Sequence, residues 1–324
     1  MKRREFITIV GGAAAWPLAA RAQQPAMPVV GFLNSASPGP YPPLSAFLKG
    51  LNERGFVEGR DLVIEYRWAE GHYERLPALI GDLVQRKVSV IAATSTPAAV
   101  AAKAANITIP IVFTTSGDPI QLGLVSSLSK PSGNLTGATQ LNVEVSAKRL
   151  ELMHEALPTA TNFALLVNPD GPNTKPESRD NSAAAAALGL TLHVLHASSE
   201  QDLATVFETL TQLKIEALVI GSDPLFSRYM EEIARLALHY RVPAIYQYSE
   251  FAAAGGLMSF GGDVAESYHV AGVYVGRILN GEKPADLPVQ QVIKVEWIIN
   301  LKTAKALGLT VPPQIVARAD EVIE

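Results

Sequence analysis

Residues 88–119, VSVIAATSTPAAVAAKAANITIPIVFTTSGDP, decide the fold. Val88–Thr94 and Ile109–Thr114 are short apolar runs without polar alternation. Such runs read as strands buried on both faces, the usual state of strands in a parallel sheet. Pro97–Asn106 between them has room for a crossover helix. The stretch therefore reads as strand, helix, parallel strand, with a right-handed connection.

The same alternation extends both ways. Upstream, Val29–Asn34 is a strand, and Pro42–Arg54 is a helix with Leu44, Phe47, Leu48 and Leu51 on one face and Gly55 as its stop. Asp61–Trp68 (strand) and Tyr73–Arg86 (helix) follow, and Leu135–Thr139 is a short extended piece. The pattern then restarts with Phe163–Asn168, Glu177–Leu188, Thr191–His196, Asp202–Leu213, Ala217–Gly221, Leu225–Tyr240 and Ala244–Tyr248 as strands and helices in turn. Leu257–Gly261 is extended and Ala265–Leu279 helical. Two like halves imply an α/β protein of two doubly wound parallel-sheet lobes. The chain is expected to pass between lobes near residues 140–145, near Gly261–Asp263 and near Leu287. One lobe is then 27–141 plus 263–286, and the other 142–262 plus 287–324.

Ligands of such sheets sit at the carboxyl ends of the strands. Those ends share a composition here: Thr94-Ser95-Thr96-Pro97, Ser116-Gly117-Asp118-Pro119, Asn168-Pro169 and Ser222-Asp223-Pro224. Thr96, Asp118 and Asp223 read as N-caps before a proline at the first helical position. A helix opened this way offers free N–H groups and a partial positive charge to an anion. Many helices that bind nothing start this way, so the pointer to a ligand is that several such turns share facing rims. The hydroxyls of Thr94, Ser95 and Thr96 suit a carboxylate, and Asp118 and Asp223 suit an ammonium or hydroxyl. Tyr41, Phe226, Tyr246 and Tyr248 also fall near strand ends and are candidates for an apolar wall.

Residues 1–22 read as an export address. Lys2, Arg3 and Arg4 are followed by an apolar stretch, Phe6–Ala19, and a small-x-small site, Ala20-Arg21-Ala22. The paired arginines before Glu5 and Phe6 resemble a twin-arginine signal. Removing these residues leaves a chain more acidic than the −4 of the whole. That balance gives no electrostatic reason to bind nucleic acid or an anionic membrane. There are no cysteines, which excludes disulfides, thiolate metal sites, Cys nucleophiles and a Cys-linked lipid anchor. The expectation is a soluble, unanchored protein of the bacterial periplasm.

Along its length the chain resembles the ABC-transporter substrate-binding family that includes tryptophan- and tyrosine-type binding proteins. The stretches that carry the resemblance are GLNERGFVEGRD (50–61), IEYRWAEG (64–71), IPIVF (109–113), Gly117-Asp118-Pro119 and KPSGNLTG (130–137). Val167-Asn168-Pro169, GEKPADLP (281–288) and NLKTAK (300–305) complete the set. The resemblance implies a type I periplasmic-binding-protein fold with three hinge crossings and a ligand in the cleft. It also implies delivery of that ligand to a membrane permease. It places Asn34-Ser35, Thr94-Ser95-Thr96, Asp118, Asn168 and Ser222-Asp223 at the pocket. The chain departs from the amino-acid binders after Asn168: where they carry an Asn-Pro-x-Glu-x-Asn-Ser type loop, it reads Asn168-Pro169-Asp170-Gly171-Pro172-Asn173-Thr174.

No G-x-S-x-G, G-x-G-x-x-G or H-E-x-x-H motif is present. GRILNGEK (276–283) has Glu282 where a phosphate loop needs Lys, and it closes a helix rather than opening one. His193 and His196, three apart on a strand, point to opposite faces. Neither cofactor nor metal nor catalysis is expected. The expected protein is a monomer that captures a small polar organic solute: an amino acid, a small carboxylate or a polar aromatic. The candidate ligand set is Asn34, Ser35, Thr94, Ser95, Thr96, Ser116, Asp118, Asn168, Ser222, Asp223 and Tyr246. The rivals are an exported enzyme on the same scaffold and a sensor feeding a membrane receptor.

Overall fold

The computed structural model describes residues 27–38, 42–131 and 133–324. The expected export segment, Tyr41 and Ser132 lie outside them. The first part of the chain runs β1 (Val29–Asn34), α1 (Pro42–Asn52), β2 (Val63–Trp68), α2 (Leu76–Gln85), β3 (Val90–Ala93), α3 (Thr96–Ala104), β4 (Ile111–Thr115) and β5 (Leu135–Thr139). The second runs α4 (Ser146–Ala156), β6 (Asn162–Val167), α5 (Thr174–Leu188), β7 (Thr191–His196), α6 (Glu200–Gln212), β8 (Ala217–Ile220), α7 (Pro224–Arg228), α8 (Met230–His239), β9 (Ala244–Tyr246), α9 (Ser249–Ala253) and β10 (Met258–Gly262). The third runs α10 (Val264–Leu279), β11 (Gln290–Gln291), β12 (Val295–Asn300), α11 (Leu301–Leu307), α12 (Pro313–Val316) and β13 (Glu321–Ile323).

Two sheets form the two lobes expected from the alternation. The first has the order β11-β5-β4-β3-β1-β2, and the second β13-β12-β10-β9-β8-β6-β7. All pairs in the first sheet are parallel. β3 and β4 are buried at every position because helices cover both faces. In the second sheet only β10 and β12 are antiparallel. A strand that returns from the other lobe enters at the cleft end, so β12 runs against its neighbour.

The chain passes between the sheets after β5, after β10 and after β11. Gln290 and Gln291 pair with Ala138 and Thr139, which keeps the chain in the first sheet beyond the Leu287 expected for the third passage. At the first two passages the chains touch closely. The amide of Gly262 donates to Asn142 Oδ1 at 2.6 Å. A Cβ on Gly262 would lie 2.6 Å from the Gln140 carbonyl oxygen, and one on Gly261 would lie 2.3 Å from that of Gln247.

α10 follows the second sheet in sequence but packs on the first lobe, where Tyr268, Ala271, Tyr274 and Val275 share a core with Phe32, Phe47 and Leu51. Asp263 caps it by accepting from the amides of Ala265 and Glu266. The expected single helix Leu225–Tyr240 is broken at Tyr229 (φ −103°, ψ 19°) into α7 and α8. The break lets α7 bury Phe226 under the cleft while α8 buries Ile233, Ala234, Leu236 and Ala237 along a different line.

Candidate functional site

The carboxyl ends of both sheets face each other across the cleft between the lobes. On the first lobe, buried Asn34 donates through Nδ2 to the Thr94 carbonyl oxygen (2.8 Å), Thr94 Oγ1 (2.9 Å) and Tyr268 Oη (2.9 Å). Ser35 donates through Oγ to Ser95 Oγ at 2.9 Å. Asn34 and Thr94 are thus bound to each other and to α10, and they shape the rim from beneath. Two caps differ from expectation. Ser95, not Thr96, caps α3, because its extended backbone lets Oγ accept from the amide of Ala98. Thr96 is inside the first turn, where Oγ1 accepts from the amide of Ser116 at 3.1 Å and joins two rim turns. Asp118 accepts from the amide of Ile120 at 2.7 Å, but it closes a turn and no helix follows.

The rim of the second lobe is built on buried charge. Asp223 caps α7 through the amide of Leu225 (2.9 Å) and also accepts from Asn168 Nδ2 (3.0 Å). Burial pushes its carboxyl above the usual range, against the pull of its hydrogen bonds. Ser222, one residue earlier, has every polar group held by a side chain. Its amide donates to both carboxylate oxygens of Glu177 (3.0 and 2.9 Å), its Oγ accepts from Arg149 (3.3 Å) and its carbonyl oxygen accepts from Asn173 (2.8 Å). Arg149 and Glu177 are 0% and 1% exposed and 3.4 Å apart. Burial drives both toward their neutral forms against their mutual attraction: the Glu177 carboxyl rises to about 7 and the Arg149 guanidinium falls. Tyr246 is fully buried, with its hydroxyl 2.8 Å from Ser227 Oγ, and with Phe226 it belongs to the core rather than to a cleft wall.

The raised Glu177 carboxyl has a consequence for stability. Folding takes up a proton there between the ordinary carboxyl pKa near 4.5 and about 7. The contribution is present below the lower value and is lost as pH rises through the upper one. The thermal midpoint is therefore expected to fall from pH 5 to pH 8, and Glu177→Gln to flatten that slope. Equal slopes in both proteins by calorimetry would exclude this role for Glu177.

Among the described residues, side-chain hydrogen bonds join the two rims across the cleft. Tyr73, in the single 3-10 turn after β2, donates to Asp223 Oδ1 at 2.6 Å. Arg228 donates to Ser37 Oγ at 2.5 Å. Beside them lies a cavity of about 520 Å³ lined from the first lobe by Ser35, Ser37 and His72 and from the second by Ser199, Glu200 and Arg228, among others. Of the residues expected from the sequence, only Ser35 lines it. Tyr73, Arg149, Glu177, Asn173 and Arg228 were not expected. Tyr73 follows β2 without the Ser/Thr/Asp-Pro signature, and Arg228 lies at the far end of α7, the helix that Asp223-Pro224 opens. Among the described residues the buried amides of Asn142 (Nδ2), Asn173 (Oδ1), Asn181 (Oδ1) and Gln247 (Oε1) each keep an unpartnered atom. Asn173 Oδ1 faces the first lobe, 3.2 Å from where a Cβ on Gly117 would stand. Gly171, at the departure from the amino-acid binders, has no room for a side chain: its Cβ would lie 2.6 Å from Asp223 Oδ2. Among the described residues no group of three or more His, Asp or Glu side chains could hold a metal. No described helix is long and apolar enough to cross a membrane.

The sequence pattern of a family described as ABC transporter substrate binding protein matches residues 35–323. A curated tyrosine-binding protein of Clostridioides difficile (strain R20291) is 28% identical over 271 residues, covering 81% of this chain and 75% of that protein. Among solved structures, a conserved domain protein from Vibrio cholerae is 26% identical with a TM-score of 0.83, over 91% of this chain and 99% of the other. An ABC domain from Streptococcus pneumonia in complex with L-Trp shares the fold, with a TM-score of 0.79 at 24% identity over 92% of this chain and 100% of that one.

Proposed function

We propose, from the premise that the chain belongs to the ABC transporter substrate binding protein family, that it captures a small polar organic solute between its lobes. An amino acid is the leading class, in keeping with the curated tyrosine-binding relative; a small carboxylate or a polar aromatic is the alternative. The observation that carries the reading is the contact of Tyr73 on one rim with Asp223 on the other, beside a cavity lined by both lobes. Closure over a ligand is a population shift driven by contacts with both rims. The hinge is the pair of passages in contact at Asn142 and Gly262. The protein acts in the periplasm after export through residues 1–22, as a monomer without catalysis, and hands the solute to an ABC permease.

Native mass spectrometry of protein purified from the periplasm tests this reading. A co-purified small molecule, released intact on denaturation and rebinding one to one, is the expected result. Asp223→Ala is expected to weaken rebinding by about 1–3 kcal/mol, read by titration calorimetry. A molecule that is turned over during incubation would mark an enzyme. Affinity unchanged in the variant would remove Asp223 from the site.

A further inference from the structure

We infer that Arg149 is a positioning residue that locks the cleft turn Ser222–Asp223 to the hinge. The inference rests on the reading that the cleft closes over a ligand. Arg149 lies in the first turn of α4, just after the first passage between lobes. Its Nη1 donates to the carbonyl oxygen of Phe260 at 3.3 Å, on β10 and two residues before the second passage contact at Gly262. Its Nη2 reaches Ser222 Oγ (3.3 Å) and Glu177 Oε1 (3.4 Å). One planar cation therefore joins the hinge strand, the turn that carries Asp223, and the carboxylate that holds the amide of Ser222. Asp223 in turn holds Tyr73 of the opposite lobe.

The neighbourhood is built for this pair. A Cβ on Gly221 would lie 2.8 Å from Glu177 Oε2, so glycine is what lets the carboxylate sit under the turn. α4 and α5 face each other through polar residues, with Asn181 Nδ2 donating to Ser146 Oγ at 2.8 Å. A buried ion pair is weak support for stability, since apolar or neutral replacements often cost nothing. Here Arg149 Nε also lacks a partner among the described residues. What the pair supplies is geometry: a planar fork with fixed bond directions. It makes hinge strand and cleft turn one rigid body, so a ligand that bonds to Asp223 acts directly on the passages.

The test compares the wild-type protein with the neutral pair Arg149→Met, Glu177→Gln, in which Gln keeps an acceptor for the amide of Ser222. The chain has no cysteine, so Lys103→Cys and Glu208→Cys, one exposed position in each lobe, give two unique sites for spin labels. Interlobe distances are measured by pulsed dipolar spectroscopy, with and without L-tyrosine as the probe. The expected result is a single short distance for wild type. The neutral pair is expected to lose about tenfold in the closed-to-open ratio with a thermal midpoint near that of wild type, and Arg149→Lys to fall between. Distances unchanged in the neutral pair overturn the inference. So does a change that appears only with loss of the whole fold, as judged by hydrogen exchange across β6 and β8. Failure of L-tyrosine to bind counts against the ligand class proposed above, while the distances in the free protein still decide the role of Arg149.

Discussion

Arg149→Met alone is expected to lower unfolding free energy by about 3–5 kcal/mol, the usual cost of leaving one partner of a buried ion pair. The guanidinium is fully enclosed, and its loss leaves the Glu177 carboxylate with the neutral amide and hydroxyl of Ser222 as its partners among the described residues. The carboxyl of Glu177, already raised to about 7 beside Arg149, must rise further once the cation is gone. A protonated Glu177 carries no charge to bury, so the loss should be smaller at pH 5 than at pH 8. Urea unfolding at the two pH values measures both. A loss below about 1 kcal/mol, ordinary for a surface change, would contradict the buried-pair assignment. A loss larger at pH 5 would contradict the sign of the Glu177 shift.

Gly272→Leu is the second large effect, about 3 kcal/mol or more, near the upper end of overpacking costs. α1 and α10 meet backbone to backbone. A Cβ on Gly272 would stand 2.0 Å from the Phe47 carbonyl oxygen, and one on Gly50 would stand 2.2 Å from that of His269. Neither obstacle is a flexible side chain that can turn away. The helices must separate, which opens the cluster of Phe32, Phe47, Leu51, Tyr268 and Val275. Separation also draws Tyr268 from Asn34 and Thr94, so the damage reaches the cleft rim. Thermal unfolding of the variant checks the size. A midpoint within a degree or two of wild type would mean that the helices do not touch in this way.

Elements with apolar faces were legible in the sequence. Leu135–Thr139 and Thr191–His196 are strands over the residues expected. The face Leu44, Phe47, Leu48 and Leu51 packs inward on α1. α4 was not foreseen because its buried face includes Ser146 and Arg149, which breaks the apolar period. α5 was expected over Glu177–Leu188 and begins at Thr174, with a buried face of Glu177, Asn181 and Ala185. The polar stripe that hid α4 is the one that supports the cleft turn. The rim turns were legible as N-cap and proline signatures, but their partners were not. Thr96 bonds the amide of Ser116, and Tyr73 bonds Asp223, across 20 and 150 residues of chain.

The sequence alone determined the α/β architecture and the two lobes. Those follow from local rules: apolar runs of strand length, helices between them, and a fixed crossover hand. Only the tertiary structure decided which rim residues face the cavity and which are its hidden frame. Asn34, Thr94 and Ser222 carry the residue types of a binding site, yet their polar groups are largely held by neighbours within their own lobes. Arg149 and Glu177, which look like surface charges on two helices, form the buried pair beneath the cleft. Local pattern does not encode that distinction, because whether a polar atom is spent or available depends on which distant atoms folding brings within about 3 Å of it.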